Sequence, residues 1–158
     1  VGLTENNAAA TRLNTVAEWA GYLSVAPFVL CLAGVGLLPD SGARELLQRI
    51  ALAWGAVLLA FSGAVHWGLA IAGRLPWDAA RTAGALAPAL LGAIAVVLGG
   101  QRGLALLVVG FGGFWLYEHR SLSARLPPAY LNLRRHLTLA IGILLALTMF
   151  ASDAAGLR

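Results

Sequence analysis

The sequence predicts an all-α fold: a polytopic membrane bundle of five transmembrane helices with its N-terminus in the cytoplasm. Three observations predict it. The 158 residues are 59% hydrophobic and only 11% charged, whereas soluble globular domains carry about 25% charged residues. The apolar residues are gathered into long runs with the charges clustered between them, and about 20 apolar residues rising about 1.5 Å each match a hydrocarbon core about 30 Å thick. The third observation is the unequal division of the eleven Arg residues between the two sides, which sets the orientation.

Taken in order, residues 1–18 read as a polar, Ala-rich tail with no cleavable signal, and residues 19–151 as the membrane domain. The first span is predicted over 19–38, with a kink at Pro27, and Pro39-Asp40-Ser41-Gly42 stops it. A connection over 43–49 leads to the second span, 50–72, which contains no Asp, Glu, Lys or Arg. A loop over 73–81 with Pro76 and Trp77 precedes the third span, 82–99, which carries Pro88. Gly100-Gln101-Arg102 is a short link that makes the third and fourth spans antiparallel neighbours. The fourth span, 103–117, is short and rich in Gly. Pro127-Pro128 breaks the polar stretch that follows, the fifth span covers 133–151, and 152–158 is a short tail.

With five spans, Arg12, Arg74, Arg81, Arg120, Arg125, Arg134 and Arg135 share one side, and Arg44, Arg49, Arg102 and Arg158 the other. The excess places the N-terminus inside. The same side gathers Trp19, Tyr22, Trp67, Trp77, Trp115, Tyr117 and Tyr130, with only Trp54 near the opposite end. An ordinary aromatic belt decorates both interfaces, so the specific chemistry or contacts are expected on the cytoplasmic face.

All basic residues are Arg, with no Lys, which together with abundant Ala, Gly and Leu hints at a GC-rich bacterial genome. The pI near 10.2 reflects topology-setting Arg, and no nucleic-acid partner is expected. Cys31 is the only cysteine, so no internal disulfide forms, and no metal-ligand spacing is present. No catalytic triad, phosphate loop or paired intramembrane carboxylates are found, so no catalytic residue is assigned.

Two features stand out within the spans. Ala56, Ala60, Ala64 and Gly68 recur every four residues and read as a packing stripe for another helix. His66 is the one imidazole inside an apolar run, about 9 Å from the cytoplasmic end of its span. An ionisable group there is a site hypothesis by default. Ser62, one turn earlier, is placed to hold the imidazole tautomer. Trp67, Glu118, Arg134 and Arg135 lie at a similar depth or just outside, completing a candidate polar site. His66 can serve as an interhelical hydrogen-bonding group, as a contact for a lipid or quinone head, or as a ligand to a metal or pigment. Glu118 with Arg134 can be a functional charge site or a staple between the fourth and fifth helices.

The blocks Gly63-Ala64-Val65-His66-Trp67-Gly68-Leu69-Ala70 and Pro128-Ala129-Tyr130-Leu131-Asn132-Leu133-Arg134-Arg135-His136-Leu137-Thr138 resemble the transmembrane protein 69 family of small bacterial and mitochondrial inner-membrane proteins. Family members often have Trp before the Tyr, where this chain has Ala129. The resemblance implies about five helices and an inner-membrane location, and it supplies no mechanism. The expectation is a protein that works by binding, as an accessory subunit or assembly factor of a larger, bioenergetic membrane complex. Its expected partners are membrane lipids and other integral subunits. The alternative is a lipid- or quinone-binding carrier or enzyme with a cytoplasmic-side pocket around His66; otherwise no cofactor is expected.

Overall fold

A computed structural model describes residues 15–76, 78–122 and 128–157. The helices are α1 (Thr15–Leu23), α2 (Ala26–Leu37), α3 (Ser41–Ile71), α4 (Ala79–Leu98), α5 (Gly100–Leu122) and α6 (Pro128–Ala154). No strand occurs among the described residues. The fold is an all-α helical bundle, as the sequence predicts. Four helical segments, 18–37 across α1 and α2, α3, 81–98 in α4, and α6, are long and apolar enough to cross a membrane. Arg102, Gln101 and Glu118 make α5 more polar, but at 23 residues it reaches about 34 Å.

The register of the contacts gives the topology. Gly34 meets Leu47 and Phe28 meets Gly55, so α2 and α3 run antiparallel. Gly92 packs on Ala56 and Gly63 on Ala85, so α4 reverses again. Gly103 meets Ala95 and Gly84 meets Tyr117, which carries α5 back along the whole of α4. Arg134 reaches Glu118 at one end and Gln101 reaches Asp153 at the other, so α6 is antiparallel to α5. The result is an up-and-down bundle with α3 at its hub, in contact with α2, α4, α5 and α6. Phe28, Leu59, Leu104, Leu107, Phe111 and Leu145 fill the core.

Several boundaries differ from the expected ones. The first span is two helices, broken at Ser24 and Val25, because Pro27 sits in the first turn of α2, where its missing N–H costs no hydrogen bond. Phe28 N–H turns back to the Val25 carbonyl, and the Trp54 indole donates to the Ser24 carbonyl at 2.9 Å. Trp54 is therefore an interhelical clamp and no belt residue. The expected connection over 43–49 is helical: Asp40 caps α3 by accepting from Ala43 N–H at 2.6 Å, and Glu45 pairs with Arg49 one turn on. Asp78 caps α4 in the same way, accepting from Arg81 N–H at 2.7 Å. The link between α4 and α5 shrinks to Gly99, and Gly99 and Gly100 both have positive φ, +63° and +48°, which favours glycine. Helices α5 and α6 run past the apolar runs into their charged flanks. The expected tail 152–158 starts inside α6, and Trp77, Arg12, Arg125 and Arg158 lie outside the described residues.

The four-residue stripe on α3 is corrected. Ala56 is buried against Gly92, but Ala64 and Gly68 are exposed and a Cβ on Gly68 would meet nothing within 4 Å. A four-residue step advances about 400° on a helix, so the stripe rotates by about 40° per step and leaves the interface. The close approach belongs instead to Ala56 and Gly63, seven apart. A Cβ on Gly63 would collide with the Ala85 carbonyl oxygen.

Candidate functional site

Ser62, His66, Glu118 and Thr138 are buried towards the C-terminal ends of α3 and α5 and the N-terminal half of α6, while Gln48, Thr148 and Ser152 are buried towards the other end of the bundle. Glu118 is 1% exposed, almost at the end of a helix otherwise lined with Leu, Gly and Phe. Its Oε2 accepts from Arg134 Nε at 2.8 Å, and the Arg134 side chain is itself 11% exposed. His66 comes in from α3, 4% exposed, with Nε2 at 3.9 Å from Glu118 Oε1. That is an ion-pair distance and too long for a hydrogen bond. Phe114 packs beside both His66 and Arg134: its ring meets the His66 ring edge-on at 5.3 Å, and the Arg134 guanidinium stands 5.7 Å above it. Tyr117 closes the His66 side at 6.1 Å. The Tyr130 hydroxyl lies against the same Glu118–Arg134 pair.

Local sequence explains how each group arrives. His66 lies one turn past Gly63, where α4 packs against α3 through the Ala85 carbonyl. Glu118 and Phe114 are four apart on α5, and Tyr130, Arg134 and Thr138 are four apart on α6, so each set shares one helix face. Aromatic packing under a guanidinium and a carboxylate beside it are the two contacts that make a buried Arg tolerable.

The cluster is incomplete in its hydrogen bonding. Both ring nitrogens of His66, Oε1 of Glu118, Nη2 of Arg134 and Oγ1 of Thr138 are buried without a hydrogen-bond partner. Buried polar groups are satisfied in the great majority of cases, and each exception calls for an explanation.

A groove of about 500 Å³ borders the cluster between α1, α3 and α6. Arg134 and Tyr130 line its polar end; Leu58, Val65, Phe111 and Leu137 line its apolar walls. Phe61 and Ala20, on its border, are exposed, so the groove reaches the outer surface of the bundle. From Tyr130 to Ile141 it follows α6 for about 16 Å.

Of the sequence-predicted residues, His66, Glu118 and Arg134 are brought together. Ser62 is buried and borders the groove, but its hydroxyl donates to the Leu58 carbonyl at 2.7 Å and does not hold His66. That back-bond is the ordinary choice of a helical serine. Trp67 is on the outer side of α3, 37% exposed, and with His66 it borders a small space beneath Pro76, Arg81 and Ala85. Arg135 is exposed and takes no part. His119 stacks on Trp115 at 5.5 Å, also on the exposed side. Residues that the sequence reading left out of the site are Phe114, Tyr117, Tyr130, Thr138 and the α1 wall of Ala20, Gly21 and Ser24. The four-residue spacing of Tyr130, Arg134 and Thr138 is the signal that could have found the α6 members. No group of three or more His, Cys, Asp or Glu residues able to hold a metal ion occurs among the described residues.

The chain belongs to the family described as "Protein of unknown function (DUF3429)", whose model matches residues 13–150. No curated protein matches the chain. No solved structure matches it.

Proposed function

We propose that this chain is a multi-pass protein of the bacterial inner membrane that works by binding, and that its site takes the polar head of a membrane-soluble amphiphile, a lipid or a quinone. One observation carries the reading: an apolar groove of about 500 Å³ has Arg134 and Tyr130 among its lining residues, next to the buried Glu118 that pairs with Arg134. An ion pair that only stapled α5 to α6 would need no such groove. Ligand sites are largely apolar with a few placed polar groups, and this groove has that make-up. Arg134 and Tyr130 orient the head, Glu118 holds Arg134 in position, and the apolar walls take the chain. The test is extraction in a gentle detergent followed by native mass spectrometry. A protein carrying one amphiphile per chain supports the reading. A bare protein that takes up none when amphiphiles are added back opposes it.

A second reading has its own observation. Ala64 and Gly68 face outward on α3 between the exposed Phe61 and Ile71. Small residues let a further helix approach closely, whereas contact with lipid does not require them. This favours an accessory subunit or assembly factor of a larger membrane complex of the bioenergetic kind, and the two readings are compatible in one protein. Migration with a stoichiometric large complex on a native gel supports it; migration as a lone chain opposes it. The Gly63 to Ala70 and Pro128 to Thr138 blocks support grouping the chain with the transmembrane protein 69 proteins, and with them the inner-membrane location.

A further inference from the structure

We infer that the end of the bundle opposite the His66–Glu118 cluster carries a second binding site, which takes the phosphate of a membrane phospholipid at the N-terminus of α5 beside the Gln48 amide. This site is separate from the groove at Arg134 and does not depend on it.

The donors begin with the backbone. Helix α5 is 23 residues long and starts at Gly100. Gly103 N–H is the first to find a carbonyl, that of Gly99 at 2.8 Å, so the N–H groups of Gly100, Gln101 and Arg102 have no partner within the helix. Gly99 holds the cap position and has no side chain to accept from them. A Cβ on Gly99 would meet nothing within 4 Å, so an anion can come close to this backbone.

Gln48 is the independent observation. It is 5% exposed, and its Nε2 has no hydrogen-bond partner. With Leu52, Val96, Gly99 and Gly100 it borders a crevice of about 590 Å³. The last torsion of a Gln side chain is soft and roughly two-fold, so a half-turn exchanges the two ends of the amide and presents its NH2 group to the crevice. Gly99 and Gly100 also border a second crevice, where Arg102 is exposed and in no ion pair among the described residues.

The charged side chains bordering the two crevices cancel, Arg49 and Arg102 against Glu45 and Asp153. Glu45 is engaged by Arg49, and Asp153 accepts from the Gln101 amide at 3.4 Å. The helix end therefore sets the sign, with about half a positive charge. The opposing ends are partly quenched: Ser152 and Asp153 carbonyls accept from Leu157 and Gly156 N–H, and the Ala95 carbonyl from Gly99 N–H. Depth names the source of the oxyanion. Gly99 follows directly on the apolar segment 81–98, which is where hydrocarbon gives way to lipid headgroups. Val96, on the crevice wall, is exposed on the side of α4, so an acyl chain passes from the crevice to the bilayer.

The test is a 1H–15N NMR titration of purified, delipidated full-length protein in maltoside micelles. The probes are dihexanoyl phosphatidylglycerol, dihexanoylglycerol, which has the same tails without phosphate, and inorganic phosphate. The expected result is saturable shifts of the Gly100 and Gln101 backbone amides and the Gln48 side-chain amide with the phospholipid alone. Gln48→Leu should weaken binding by about tenfold, the loss of one hydrogen bond to a charged group. Should that variant fail to fold, Arg102→Gln alters an exposed residue and should weaken binding by about two- to fivefold. Val65→Phe, which fills the groove at the other end of the bundle, should leave these shifts unchanged. Inorganic phosphate that binds the same amides as tightly overturns the lipid as the source and leaves the oxyanion site standing. Equal shifts with dihexanoylglycerol, or phospholipid binding undiminished in both Gln48→Leu and Arg102→Gln, overturn the inference.

Discussion

Replacing Arg134 with Met isolates the energetics of the buried cluster. The substitution keeps most of the side-chain volume and leaves the Glu118 carboxylate, 2% exposed, without its cation. Two unit charges about 4 Å apart interact by about 4 kcal/mol at an effective dielectric of about 20. Breaking a buried pair by removing one partner costs about 3–5 kcal/mol, because a buried charge is left uncompensated. That is a large part of the roughly 5–15 kcal/mol that holds a domain folded. The double variant Glu118→Gln/Arg134→Met removes both charges and should recover most of the loss. His66→Ala should cost less than Glu118→Ala, since His66 gives up ring packing on Phe114 but leaves the Glu118–Arg134 pair closed. Unfolding by sodium dodecyl sulfate titration in maltoside micelles, followed by circular dichroism, measures all four variants. The reasoning fails if Arg134→Met is as stable as wild type, or if the double variant is no better than the single.

Three further outcomes follow from the packing and the topology. Gly63→Ala should destabilise by about 1–3 kcal/mol, because the new methyl meets the Ala85 carbonyl, whereas Gly68→Ala should be near neutral; equal effects in thermal unfolding would remove the α3–α4 contact as described. Trp54→Phe should cost about 1–3 kcal/mol in the same assay by leaving the Ser24 carbonyl without its donor, and an unchanged melting temperature would mean that this clamp does not hold the α2 break. In a Cys31→Ser background, Pro39→Cys should react with an impermeant thiol reagent in intact cells and Arg74→Cys should not; the reverse pattern would invert the orientation.

The helical bundle was legible because run length and charge segregation in a membrane chain follow directly from the cost of exposing polar groups to lipid. The helix ends were less so. Apolarity stops at Ile50, yet α3 begins at Ser41, since Asp40 caps it and the Glu45–Arg49 pair lies on its first turns; the bilayer limits the hydrocarbon-facing part and not the helix. Depth alone put His66, Glu118 and Arg134 at one level, and the antiparallel run of α5 and α6 brings them into contact. A period of four is not straight on a helix of 3.6 residues per turn, so the stripe Ala56, Ala60, Ala64 and Gly68 turns from the buried face to the exposed one. The groove was hidden for a different reason. Its outer wall comes from Ala20, Gly21 and Ser24, whose role depends on where the chain breaks before Pro27, and no periodicity in so short a segment reports that angle.

The central claim is that an amphiphile sits between α1, α3 and α6 with its head at Arg134. Its most direct test is photolabelling of the protein in proteoliposomes with an azido-benzoquinone carrying a long alkyl chain, followed by peptide mapping. The account predicts adducts concentrated on residues 58–65 and 130–141 that disappear in Val65→Phe. Adducts spread evenly over the lipid-facing surface, including the exposed Val97 on α4, and unchanged in Val65→Phe would contradict it.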